Sequence, residues 1–207
     1  MKFQNFVLER LGHPRGLLAP LFSFVFNRNN RALIDSAIAA LDASPTDRLL
    51  DVGFGGGVSL PKLLGLARDG HVTGVDISDE MLAAARGRHA RELDAGKLTL
   101  AKCGVEGLAL ESASVDGAIS CNTYYFWPDV DAGLRELARV LAPGGTLVLA
   151  NRRVAELTAL GFTHARHNLH EDEVVVQKLG LAGFATVDCV EPRDRYDSVL
   201  FVARRPL

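Results

Sequence analysis

Cysteine is scarce in this sequence. There are three in 207 residues, at positions 103, 121 and 189. A set so small, odd in number and widely spaced excludes a disulfide framework and predicts reduced core thiols in a reducing compartment. No catalytic cysteine follows from them, although Cys103 and Cys121 fall near predicted strand ends. Charge of one sign is also lacking. The formal net charge is -2, with no long Lys/Arg run, which argues against a nucleic-acid partner. No apolar run approaches the length of a membrane span. The stretch 16–26 is as long as a secretory h-region, but it follows Glu9, Arg10 and Arg15. Asn27-Arg28 comes after it where a small-residue cleavage site would stand. The expectation is a cytoplasmic protein with no stable membrane insertion. Internal repeats, low-complexity tracts and linkers are absent as well. The length and a hydrophobic content of 48% fit one domain with a sizeable core.

The most informative stretch is Leu49-Leu50-Asp51-Val52-Gly53-Phe54-Gly55-Gly56-Gly57. It reads as a short apolar strand entering a glycine-rich turn, with an acid two residues before the first glycine. Val58 to Leu64 opens a helix after it, the context a nucleotide-binding turn requires. A dinucleotide fingerprint, G-x-G-x-x-G, would need its third glycine at position 58. That position is Val58, so a nicotinamide cofactor is disfavoured. Beyond a turn at Arg68-Asp69-Gly70, His71 to Asp76 reads as a second strand ending in an acid. A carboxylate there suits ribose hydroxyls, because it accepts charge-assisted hydrogen bonds through two oxygens.

The pattern Asp51-x-Gly53-x-Gly55-x-Gly57 resembles the first motif of the class I S-adenosylmethionine (SAM) dependent methyltransferases. A later run, Leu134-x-x-Leu137-x-x-Val140-Leu141-x-Pro143-Gly144-Gly145-x-Leu147, resembles their last motif. Within that family the chain looks most like the small-molecule enzymes related to ubiquinone and menaquinone biosynthesis (methyltransferase type 11). The resemblance covers about residues 31–207. It implies an α/β fold: a Rossmann-like, seven-stranded, mostly parallel sheet with an antiparallel last strand and helices on both faces.

The rest of the chain can be read in order. Residues 1–31 hold half of the ten phenylalanines and are broken by Pro14, Gly16 and Pro20. They are read either as a lid over the site or as a strap or dimer contact, with 32–207 as the SAM-binding core. A helix follows over about 31–41. Ser78 caps a helix whose buried stripe is Met81, Leu82, Ala85 and Leu93. Strands are expected at 97–101, 114–121 and 146–150, and a helix from Asp129 or Asp131. Asn168-x-x-Glu171 reads as a capping box for a helix over 169–182, and two last strands fall at 185–190 and 197–203. His164, His167 and His170, spaced by three, read as solvated or hydrogen-bonded side chains, and no metal is expected.

What the resemblance implies for the site is as follows. The turn residues Gly53, Phe54, Gly55 and Gly57 approach the methionine part of SAM, and Asp51 supports its amino group. Asp76 and Ile77 hold the ribose, and Gly104 and Val105 lie at adenine. The family often has Asp-Ala at 104–105, and here the acid is missing. Asn122 lies near the sulfonium. The aromatics Tyr124 to Trp127 divide between core packing and the pocket of a small-molecule acceptor. Tyr124, Tyr125 and His167 are the candidates for a base, should one be used. The expected activity is methyl transfer to a small molecule. The alternative is a SAM-binding regulator or partner subunit without catalysis. A homodimer is left open.

Overall fold

The computed structural model describes residues 19–207, with side chains from Asn30 onward. Strand β1 is Arg48–Val52, β2 His71–Asp76, β3 Leu98–Lys102, β4 Val115–Cys121, β5 Leu141–Arg152, β6 Thr186–Val190 and β7 Ser198–Arg204. They form one seven-stranded sheet in the order β3-β2-β1-β4-β5-β7-β6. The first five are parallel to one another, and β7 runs antiparallel to both β5 and β6. The short β6–β7 connection makes that pair antiparallel.

Alternation of strand and helix covers both faces. Helices α1 (Ala19–Ala40), α2 (Leu60–Leu66) and α3 (Asp79–Arg88) pack one face around Leu49, Ile119, Val148 and Ala150. Helices α5 (Val130–Val140) and α7 (Asp172–Leu181) pack the other, around Leu50, Leu147, Leu149 and Phe201. Short helices α4 (Ala90–Asp94) and α6 (Val154–Ala159) complete the described set. In α5 the apolar residues recur at helical spacing, so Val130, Leu134, Leu137 and Ala138 all turn inward.

Several expectations need correction. Helix α1 begins at Ala19, not near residue 31, and runs unbroken to Ala40. Pro20 sits in its first turn, where a missing N–H costs nothing. The predicted lid or strap is therefore helical from Ala19 onward, and residues 1–18 lie outside the described residues. The helix expected to continue through Leu93 stops at His89, and Leu93 belongs to α4. Strand β5 begins directly at Leu141, and Pro143-Gly144-Gly145 lies inside it as a bulge. Val115 faces Leu141 while Gly117 faces Thr146, and Gly144 takes a φ of +74°. Helix α7 starts after Glu171 with no side-chain cap. Asn168 does not cap it, because its amide donates to the Trp127 carbonyl at 2.6 Å. Cys189 is exposed on the edge strand β6, so it is not a core thiol. All three cysteines are free.

Candidate active site

The sheet places the carboxyl ends of β1, β2 and β4 side by side. Strand order reverses between β1 and β4, the place where open α/β sheets bind ligands. The glycine-rich turn leaves β1 there. Gly53, Gly55 and Gly57 have φ of +72°, +51° and +72°, the left-handed region that other residues avoid. At Gly53 a Cβ would also lie 2.5 Å from the Thr123 methyl. The bare backbone therefore lets the ends of β1 and β4 meet. Gly74, in mid-β2, serves the turn from below. A Cβ there would press on Phe54 at 3.0 Å, so its absence lets Phe54 fold from the turn onto β2 and become buried.

Asp76 ties this turn to β2. Its Oδ2 accepts from the Gly55 amide at 2.8 Å and its Oδ1 from the Ser78 amide at 2.9 Å. Burial raises its pKa, and the amides of Ser78, Gly55 and Ile77 work against that rise by stabilising the carboxylate. Ser78 caps α3 as expected, accepting from the Met81 amide. Arg88 of α3 reaches back to donate to the Gly56 carbonyl at 2.5 Å. Asp51, at the end of β1, is 2% exposed. Its Oδ2 accepts from the Ser59 hydroxyl. Burial pushes its pKa up to about 7, and the neighbouring Asp76 adds to the rise. Neither acid forms an ion pair among the described residues.

Beyond β4, Asn122 adopts a φ of +55°, which asparagine tolerates better than most residues. Its Oδ1 accepts from the Arg152 amide at 3.2 Å. Its buried Nδ2 has no partner among the described residues. Such an orphaned donor is uncommon and points to a ligand or water. Ile77 is 46% exposed beside Asp76. Gly104 has ordinary extended backbone, and Val105 is buried against Gly133 and the Leu134 core.

Of the four aromatics after β4, Tyr124, Tyr125 and Trp127 are buried and Phe126 is half-buried. Burial pushes both tyrosine hydroxyls well above their ordinary pKa, which makes them donors more than bases at neutral pH. Tyr124 Oη lies 2.9 Å from His170 Nδ1. Burial lowers the His170 pKa, with Lys178 contributing, so a neutral imidazole faces the phenol. His167 packs on Phe162 and Phe126, with Nδ1 3.2 Å from the Thr163 carbonyl. Sequence reasoning assigned no site role to Ser59, His170 or Arg152. Arg152 is buried at the end of β5, lies over the Tyr196 ring at 3.9 Å and donates to Asn30. The spacing by three marks His170 but not its partner Tyr124, and no local pattern marks Ser59 or Arg152, because the fold brings each of them to groups distant in sequence.

Residues 50–149 match the family described as "Methyltransferase domain". A methyltransferase of Bacillus subtilis, YdaC, is 31% identical over 122 residues, which is 59% of this chain and 65% of that protein. By these matches the chain is similar to the class I SAM-dependent methyltransferases. The ubiquinone/menaquinone biosynthesis C-methyltransferase UbiE of Rhizobium leguminosarum is 33% identical, over 58% of this chain and 48% of its own. The chain thus spans less than two thirds of either relative. A solved SAM-dependent methyltransferase from Aquifex aeolicus superposes with a TM-score of 0.71 at 20% identity, covering 89% of this chain and 97% of that one. The expected mostly parallel methyltransferase sheet is the sheet observed. No helix among the described residues is long and apolar enough to cross a membrane.

Proposed function

We propose that this methyltransferase binds SAM at the β1–β2–β4 edge and methylates a small-molecule acceptor held over the ends of β4 and β5. One observation carries the reading. Two buried carboxylates, Asp51 and Asp76, flank a glycine turn with no cation paired to either among the described residues. A buried acid without a cation is costly, so the site is built for a ligand that brings positive charge and hydroxyl donors. SAM, with an ammonium, a sulfonium and a ribose, supplies both. A pyrophosphate would add negative charge to the two acids.

In this reading Asp51 takes the ammonium and Asp76 the ribose hydroxyls, with Ile77 against the sugar. Gly53, Phe54, Gly55 and Gly57 admit the methionine chain, Gly104 and Val105 border adenine, and Asn122 Nδ2 faces the reacting end. When bound, SAM supplies a methyl group already activated by the sulfonium. What the chain must then add is mainly orientation, which can carry much of the rate. The Phe126, Phe162 and His167 cluster offers an apolar wall for the acceptor, and Tyr124 hydrogen-bonded to His170 offers a polar one. The test is transfer of labelled methyl from SAM to a panel of phenols, acids, amines and enolisable ketones, with S-adenosylhomocysteine (SAH) release as the readout. Turnover on at least one class is expected. SAH binding with no turnover on any would favour the non-catalytic regulator.

A further inference from the structure

Ser59 stands at the N-cap of α2, a position where serine ordinarily accepts a hydrogen bond from one of the first free helix amides. Here it makes no such bond. The reason lies in the sequence. The second helical residue is Pro61, which has no N–H to offer. The Lys62 amide that follows is already taken by the Ser59 carbonyl at 3.0 Å. The backbone at Ser59 is itself helical, with φ of -72° and ψ of -40°. The hydroxyl is thereby released from capping and donates across to Asp51 Oδ2. Both side chains are buried, Ser59 at 3% exposure.

We infer that Ser59 is a positioning residue for the cofactor: its hydroxyl holds the Asp51 carboxylate in the orientation, and in the ionised state, that receives the SAM ammonium. This rests on the SAM reading of the site. The groups that face Asp51 among the described residues are Ser59 from the start of α2, Asp76 from β2 and the Cys121 thiol from β4. Asp76 opposes ionisation, and a thiol whose own pKa is raised by burial and by Asp51 adds no positive charge. The Ser59 hydroxyl is the one hydrogen bond among them that favours the carboxylate. A hydrogen bond to the charged form stabilises that form, so Ser59 widens the pH range over which the site accepts a cation.

The experiment is calorimetric titration of SAH into wild type, Ser59→Ala, Asp51→Ala and the double variant, at several values between about pH 6 and pH 8.5. Ser59→Ala should bind SAH about tenfold more weakly near neutrality, the scale of one hydrogen bond to a charged group. Its deficit should shrink toward the alkaline end, where Asp51 ionises without help. In the Asp51→Ala background, Ser59→Ala should change affinity by less than about twofold, since a residue acting only through its neighbour shows full coupling. A pH-independent deficit, or the same tenfold loss without Asp51, would mean that Ser59 merely supports the helix and would overturn the inference. An unligandable wild type would instead remove the SAM reading. Melting each variant without ligand separates misfolding from lost affinity.

Discussion

Asp51→Asn is expected to make the ligand-free protein more stable above neutral pH while weakening its hold on SAH. Burial raises the folded-state pKa of Asp51 from the ordinary 3.8 to about 7. The folded state therefore keeps a proton that the unfolded chain has already lost. Stability from this group is fully present below about pH 4, falls as pH rises toward 7, and stays lost above it. At about 1.36 kcal/mol per pKa unit the penalty reaches up to about 4 kcal/mol. Asparagine has no proton to lose, so the variant's stability should not fall in that window on this account. Melts of both proteins from about pH 4 to 8 should diverge with rising pH. At about 2–4 °C per kcal/mol, the gap at the top should be several degrees. Parallel curves would show that Asp51 ionises in the folded state without strain. A site residue that costs stability in the absence of ligand is the expected signature of function held against stability.

Asp76→Ala should produce the larger loss of cofactor affinity. The carboxylate accepts from the amides of Gly55 and Ser78, so its removal frees the glycine turn from β2 and deletes the proposed ribose acceptor together. Each charge-assisted hydrogen bond is worth about 1.5–3 kcal/mol, so SAH should bind about 10- to 150-fold more weakly. Asp76→Asn keeps a carbonyl acceptor and should fall between. Titration calorimetry measures both. Unchanged affinity in Asp76→Ala would remove Asp76 from the site.

The elements that position the site were legible because local rules govern them. The strand–glycine turn–helix at 48–66, the acid at the end of β2 and the Ser78 cap each announce themselves within a few residues. The antiparallel final strand followed from the short connection after β6. What was not legible depends on distance. Ser59 looked like an ordinary start to a helix, and only the fold brings its hydroxyl to Asp51. Asn168 looked like a cap, until the fold brought the Trp127 carbonyl within its reach. The early start of α1 was hidden by Pro20, which breaks a helix interior but suits a first turn. The strand expected at 146–150 starts earlier, at Leu141, because Pro143-Gly144-Gly145, residues that more often end an element, form a bulge inside it. The exposure of Cys189 follows from sheet order, since β6 is an edge with few covering side chains.

Thermal melts with SAH, and with NAD as control, test most directly the proposal that two buried acids around a glycine turn form a SAM site. At about 100 times its dissociation constant a ligand adds roughly 2.7 kcal/mol. For a chain of this size that is a rise of about 5–11 °C. That rise is expected with SAH and none with NAD. No rise at millimolar SAH, or an equal rise with NAD, would contradict the proposal.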